Sequence, residues 1–445
     1  MTFEETLAAW LPAQRWFAGK GVGIGDLTVT ADTTIAHGDP ALRHLIMSVS
    51  QGASSTAYQV LVGLRSDLPE RLEHAVIGPA GGGLTAYDAL HDHDLTRLLL
   101  AGIAASGSAG PLRFAHQSGA QIETDLDSLA LTGEQSNTSL VFGEASILKV
   151  FRKLTPGPNP DLEVTRALAR LGSRHIAEPL GWIEMPVAGT PTVLAILSAY
   201  LRTATDGWSM AATSVRDFFA GEAGSAASAG GDFAGEAHRL GGATAEVHRT
   251  LAEAFGTEEL PASAAADLAG QMRARLDEAV AAVPELAPRA GLLAAAFSDL
   301  AKLDAPLTVQ RVHGDYHLGQ VMRTDHGWVI IDFEGEPARP LAERLGRHPA
   351  LKDVAGMVRS FEYAARQQLL SADPVPRLRD AARNWAHRNQ AAFCAGYAEA
   401  GGPDPAGHAT LLRALTLDKA GYEVMYEARN RPSWLSIPLE SLDDA

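Results

Sequence analysis

The run Val312-His313-Gly314-Asp315-Tyr316-His317-Leu318-Gly319-Gln320-Val321-Met322, with Asp332-Phe333-Glu334-Gly335-Glu336-Pro337 after it, groups oxygen-bearing side chains at spacings that suit phosphoryl transfer to a hydroxyl. A hydroxyl that attacks ATP needs a carboxylate to orient it and accept its proton, and the phosphates need Mg²⁺ held by hard oxygen ligands. Asp315 suits the first task. Gln320, five residues on, and Asp332, delivered by the apolar strand Trp328-Val329-Ile330-Ile331, suit the second. The plain alternative is a strand-loop-strand core element whose acids merely face water. Three oxygen ligands at the required offsets, with a partner set upstream, argue against it.

The upstream set is a lysine on a strand and an acid on a helix. Ile147-Leu148-Lys149-Val150 is followed by Glu163 fourteen residues after the lysine, the pairing that protein kinases use to hold the α- and β-phosphates. Taken alone, such a pair is more often a solvated surface pair. The preceding run Glu134-Gln135-Ser136-Asn137-Thr138-Ser139 reads as a polar turn able to cover phosphates through backbone N–H groups and hydroxyls, with Ser136, Asn137 and Thr138 as the candidates. The interval from Asp315 to Gln320 also equals that from the catalytic Asp to the metal-binding Asn of the protein-kinase catalytic loop.

A polyhydroxyl acceptor is read by aromatic faces and by charged or amide groups. Wound as a helix, 415–429 places Lys419, Tyr422, Tyr426 and Arg429 within an arc of about 80°. That face is a candidate sugar site opposite Asp315. Trp434, on the Pro-fixed turn Arg431-Pro432-Ser433-Trp434, would close it, and His317 joins the same set while orienting the Asp315 loop. The face could equally pack its tyrosines into a core while Lys and Arg reach for water. His313 and His317 make a His-x₃-His pair and His91-Asp92-His93-Asp94 an acidic cluster, but neither neighbourhood offers the further ligands a zinc site needs.

These residues must be held by regular elements, and the patterning supplies them. Leu27-Thr28-Val29-Thr30, Leu45-Ile46-Met47-Ser48-Val49 and Ala57-Tyr58-Gln59-Val60-Leu61-Val62-Gly63 alternate at period two between turn residues. This predicts a β-rich unit over 1–90, closed by the turn run 78–83 and flanked by a helix from Tyr87 to Ile103. Trp10, Arg15, Trp16 and Phe17 read as its packed N-terminal element. The second unit, 91–202, holds a hairpin of 139–143 and 146–151, a helix from Pro160 to Leu171 with Asn159 as N-cap, and strands near 180–184 and 193–197. From 203 to 445 the pattern is mainly helical and Ala-rich. The tract 221–231 has no side chains able to build a core and is expected to be a mobile loop.

The 445 residues carry 53 acids against 37 Lys and Arg, a formal charge of -16, and 46% hydrophobic residues, enough for a large core and for clefts. The acid excess excludes the broad basic footprint of a nucleic-acid binder. The single cysteine, Cys394, reads as a buried helix residue and allows neither an intramolecular disulfide nor a multi-thiolate zinc site. With an acidic start, no signal-peptide core and no run of ~18 apolar residues, the expectation is a soluble cytoplasmic protein without membrane or nucleic-acid partners.

His313-Gly314-Asp315-Tyr316-His317 resembles the His-Gly-Asp-x-His stretch of the phosphotransferase superfamily that shares the protein-kinase fold and includes aminoglycoside phosphotransferases. Along nearly the whole chain the sequence further resembles bacterial maltokinases. The runs that carry this include Gln14-Arg15-Trp16-Phe17-Ala18-Gly19-Lys20, Gln310-Arg311-Val312-His313-Gly314-Asp315, Asp332-Phe333-Glu334-Gly335-Glu336-Pro337 and Lys419-Ala420-Gly421-Tyr422-Glu423-Val424-Met425-Tyr426-Glu427. The resemblance implies an α+β, bilobal protein-kinase-like fold: a cap subdomain over 1–90, an ATP-binding subdomain over 91–202 and a mainly helical C-terminal lobe over 203–445. It implies an ATP-dependent phosphotransferase with an alcohol acceptor, using ATP and Mg²⁺, that converts maltose to maltose 1-phosphate in α-glucan and glycogen metabolism. Close relatives of the same fold act on glucosamine, so glucosamine 6-phosphate is the alternative product. A non-catalytic, pseudokinase-like scaffold is the remaining reading, and Lys149, Glu163, Asp315, Gln320 and Asp332 together argue against it.

Overall fold

The computed structural model describes residues 2–19, 21, 23–52, 54–131, 136–220, 232–337, 339–370 and 376–444. The tract 221–231, expected as a mobile loop, lies outside the described residues, as do Lys20, Glu134 and Gln135. The chain divides into two units, one of Met1–Glu163 with Ala177–Arg202 and one of Val164–Ile176 with Thr203–Ala445.

The first unit holds β1 (Asp26–Ala36), β2 (Ala41–Gln51), β3 (Ser54–Arg65), β4 (Val76–Pro79), β5 (Thr85–Asp88), β6 (Ser108–Ala109), β7 (Leu112–His116), β8 (Ser128–Ala130), β9 (Asn137–Phe142), β10 (Ser146–Phe151), β11 (Lys153–Leu154), β12 (Pro179–Val187) and β13 (Thr190–Ala199). Among the described residues these form two antiparallel sheets, β1-β2-β3-β5-β4 with β11 against β3, and β6-β7-β12-β13-β10-β9-β8. β3 is buried on both faces. On one side Val60 and Val62 meet Leu7 of α1 (Phe3–Trp10), Trp16 and Phe17. On the other, Leu61 meets the apolar stripe Leu95, Leu99 and Ile103 of α2 (His93–Ala104). Period two therefore assigns alternate residues of one strand to two cores.

The two sheets are also joined by polar groups. Gln59 on β3 donates through Nε2 to Phe151 O (2.6 Å) on β10 and Leu194 O (2.7 Å) on β13. Its Oε1 must then accept from His44 Nε2 at 2.7 Å, and burial takes the His44 imidazole down to about 4, keeping it neutral. Two expectations need correction here. Tyr87 lies on β5, not on a helix; α2 begins at His93, where Asp92 caps it by accepting from Asp94 N. A 3₁₀ turn, Ala89–His91, capped by Asp88 links β5 to α2, and its helical spacing lets the pattern read through the join. Asn137 and Thr138 likewise belong to β9 rather than to a turn, so the expected hairpin strand begins two residues earlier.

α3 (Pro160–Arg170) starts where expected, with Leu162 N donating to Asn159 Oδ1 at 2.9 Å. In the second unit the strands are β14 (Thr205–Asp206), β15 (Thr257–Leu260), β16 (Leu307–Gln310), β17 (Val321–Thr324) and β18 (Gly327–Ile330), with β14-β17-β18 in one small sheet and β15 paired to β16. The helices are α4 (Gly207–Ala220), α5 (Ala234–Phe255), α6 (Ser263–Ala282), α7 (Ala290–Leu300), α8 (Leu341–Arg344), α9 (Leu351–Gln367), α10 (Pro376–Glu399), α11 (Ala409–Asn430) and α12 (Ser436–Asp443). Small residues let α5 and α10 cross with backbones nearly touching: a Cβ on Gly241 would stand 2.1 Å from Phe393 O. Phe233, Phe361 and Trp385 pack edge-on or tilted beside that crossing, with ring centroids 6.1 to 6.3 Å apart. Cys394 sits half-buried on α10, its thiol pushed up to about 11 by burial and by Asp404. Among the described residues no helix is long and apolar enough to cross a membrane.

Candidate active site

The loop from β16 to β17 carries His313 to Gln320, and a buried carboxylate fixes its backbone. Asp353, in the first turn of α9, accepts from His313 N (2.7 Å) and Gly314 N (2.9 Å) and meets His248 Nε2 at 2.9 Å. Burial alone would raise its carboxyl; the His248 bond and charge, with His313 and Gly314, take it down to about 2. His248 Nδ1 bonds Tyr397 OH at 2.8 Å, so the α5 and α10 side chains extend the support. Gly314 turns the loop with φ +88°, a conformation that favours glycine. His313 Nε2 donates to Ile331 O and its Nδ1 accepts from Asp315 N, which leaves neither nitrogen for a metal. His317 Nδ1 accepts from Gly319 N at 3.1 Å and caps the 3₁₀ turn Leu318–Gln320. Burial is the main influence holding its imidazole below the ordinary value.

Asp315 faces a cavity of about 780 Å³. His317 and the α11 residues Lys419, Tyr422, Tyr426 and Arg429 also line it, and Trp434 stands at its edge. The structure thus brings all seven of these sequence candidates to one space. Lys419 Nζ donates to Asp315 Oδ1 at 3.2 Å and to Glu336 Oε1 at 2.6 Å. Burial would raise Asp315, yet Lys419 and then His317 hold it below the usual carboxylate range. For Lys419 burial works against the charge and is overcome by the two carboxylates, which lift the ammonium above its ordinary value. Tyr422 and Tyr426 stack with centroids 6.3 Å apart, and the Arg431 guanidinium lies 4.3 Å from the Trp434 ring.

The other candidates are placed as follows. Gln320 Nε2 donates to Asp332 Oδ2 at 3.0 Å, and Asp332 holds φ +66°. Both are hard oxygen donors of the kind Mg²⁺ takes; a half-turn of the amide would set Oε1 beside the carboxylate. In the first unit, Lys149 Nζ stands 3.9 Å from Asp161 Oδ2, so the first turn of α3 offers the lysine an acid beside Glu163 that the spacing argument did not single out. The Thr138 hydroxyl turns inward and accepts from Arg152 Nε at 2.8 Å, within a buried group that includes Asp88. Ser136 stays exposed at a bend, and Asn137 is half-buried in the β9 ladder opposite Phe151.

Residues 10–92 match the maltokinase N-terminal cap domain, and residues 207–411 match the phosphotransferase enzyme family. A glucosamine kinase from Streptacidiphilus jiangxiensis is 32% identical over 329 residues, covering 70% of this chain and 72% of that protein. One from Mycolicibacterium smegmatis is 30% identical over 327 residues, covering 69% and 77%. The chain belongs to the phosphotransferase enzyme family. Its fold is the kinase-like one of that family, with β-rich sheets first and a helical C-terminal portion, and its activity is phosphoryl transfer to an alcohol. Among solved structures, a glucosamine kinase in complex with glucosamine, ADP and inorganic phosphate superposes with TM-score 0.68 at 26% identity, covering 100% of this phosphotransferase and 99% of that chain. A second glucosamine kinase structure gives 0.70 at 25%.

Sequence reasoning missed the groups that hold the reactive ones. No motif or spacing argument singled out Glu336, Asp353, Glu423 or Glu427, yet each is largely buried and engaged. For Asp353 a signal existed: at 100° per residue it borders, beside Met357, the apolar face of Leu351, Val354, Ala355 and Met357. Burial raises Glu423, whose Oε2 takes both Nε and Nη2 of Arg359 at 2.9 and 2.7 Å. That pair fastens α11 to α9.

Proposed function

We propose that this phosphotransferase moves the γ-phosphoryl group of ATP to a hydroxyl of a small sugar, with glucosamine as acceptor and glucosamine 6-phosphate as product. The observation that carries the reading is Asp315, ionised at neutral pH and presented to a cavity with stacked aromatic rings and cationic side chains. The names of the two relatives from Streptacidiphilus jiangxiensis and Mycolicibacterium smegmatis support the amino sugar. Maltose is the second reading, favoured by the cap-domain match over 10–92.

Asp315 orients the attacking hydroxyl and accepts its proton as the new O–P bond forms. His317 shapes the loop, Tyr422, Tyr426, Arg429 and Trp434 bind and orient the sugar through charge and ring faces, and Lys419 sets positive charge beside Asp315. Lys149, with Asp161 near it and Glu163 in the same first turn of α3, contributes positive charge to the phosphates of ATP, and Ser136 with the Asn137 backbone covers them. Gln320 and Asp332 would hold Mg²⁺, which would neutralise phosphate charge. The Thr138 hydroxyl, spent on Arg152, serves the fold instead.

ADP release is measured with ATP and Mg²⁺ against glucosamine, maltose, glucose and an aminoglycoside, with NMR of the product. The expected result is glucosamine turnover with phosphate on O6. Faster turnover of maltose would install the second reading, and no sugar-dependent ADP from any of the four would favour a scaffold. Asp315→Asn should lower kcat by about 10²–10⁴-fold with sugar KM little changed; near-native turnover would remove Asp315 from its role.

A further inference from the structure

Lys419 occupies a place that simple sugar binding does not require. Its ammonium bridges Asp315 and Glu336, committing two of its three N–H donors to carboxylates. Glu336 is 6% exposed and fixed on its other oxygen by Arg339 Nε at 3.1 Å. One end of the bridge is therefore anchored while the other rests on the group that receives a proton. In an in-line transfer the attacking oxygen lies within about 3 Å of the Asp315 carboxylate. The phosphorus lies about 3 Å beyond that oxygen, so the transferring group occupies the same part of the cavity that Lys419 lines.

We propose that Lys419 is a second catalytic group: as Asp315 takes the acceptor's proton, the ammonium turns from that carboxylate to an oxygen of the phosphoryl group in transit. The inference rests on the kinase reading above. In the step, the acceptor O–H bond breaks with its proton passing to Asp315, the O–P bond forms, and the P–O bond to ADP breaks with its electron pair on the β-phosphate oxygen. Neutralising Asp315 removes one of the two charges that hold Lys419, so positive charge becomes available when the phosphoryl oxygens need it. Glu336 is a positioning residue that keeps Nζ in place throughout.

The test compares wild type, Lys419→Met, Lys419→Arg and Glu336→Gln with ATP, Mg²⁺ and whichever sugar the wild type turns over. Lys419→Met should lose about 10²–10³-fold in kcat with sugar KM within about 3-fold, and Lys419→Arg should recover part of it. The groups facing Asp315 are Lys419, Tyr422 and Glu336 from outside its loop and His313 and His317 within it. Because Lys419 holds Asp315 down, the acid limb of kcat/KM should move to higher pH in Lys419→Met. In Glu336→Gln, kcat should fall about 10-fold and the limb should move again, without a matching rise in KM. A Lys419→Met enzyme with kcat within about 3-fold of wild type and a raised sugar KM would overturn the proposal and leave Lys419 a sugar ligand. If Lys419→Met loses its native circular dichroism, the double variant Lys419→Met/Glu336→Gln, which removes one charge of each sign, carries the same kcat comparison. A wild type inert toward every sugar would instead overturn the kinase reading itself.

Discussion

Asp353 shows how a residue remote from substrate sets the chemistry. Its two oxygens hold the His313 and Gly314 amides, immediately before Asp315. A free aspartate titrates near ~4, and in the fold this one lies at about 2. Its depressed value means the stabilisation is complete above about pH 4 and is lost as pH falls toward 2. Asp353→Asn should therefore cost about 2–3 kcal/mol at neutral pH and flatten the rise of stability between pH 2 and 4, as read by urea unfolding across that range. At this scale the chemistry-bearing side chains were legible: Asp315, His317, Lys419, Tyr422, Tyr426, Arg429 and Trp434 were chosen by type and spacing, and they share one cavity. The supporting acids were not, because a buried carboxylate and a surface carboxylate are the same letter until its hydrogen-bond donors, here backbone amides and His248, are known.

The elements hold this arrangement by close approach. α9 passes so near the loop of Asp315 that a Cβ on Gly356 would lie 2.5 Å from Tyr316 O, a backbone atom with little freedom to move. Gly356→Ala should displace the loop by about 1 Å, cost about 1–3 kcal/mol and lower kcat about 10²-fold. Sugar KM should change less. Measuring kcat together with thermal unfolding checks both, and an unchanged kcat would mean the helix, not the loop, gives way. Strands with clear alternation and the Asn159-capped helix were legible for local reasons, since their signals lie within a few residues. The β5 to α2 join and the start of β9 were not. In both cases the deciding partner is a distant strand: Tyr87 pairs with Gly63 and Val76, and Asn137 with Phe151.

For the molecule as a whole, two units of different construction share one chain. In the first, Gln59 ties the two sheets through Phe151 O and Leu194 O, both distant in sequence. Gln59→Leu should strip these carbonyls of a donor and cost about 2–4 kcal/mol, seen as an earlier unfolding transition of the sheet-rich unit with the helical unit unchanged. The −16 balance told of neither unit, but it is consistent with function resting on local cations such as Lys419 and Lys149 rather than on a basic surface. Cys394 makes the two transitions separable. As the chain's one thiol, half-buried on α10 and shifted to about 11, it exists as thiolate in roughly one molecule in a thousand at pH 8. Maleimide or disulfide probes will thus report almost nothing from the native protein and respond when α10 opens. The chain carries its own chemical clock for the helical unit, and a cysteine introduced on an exposed strand of the other would label first and independently.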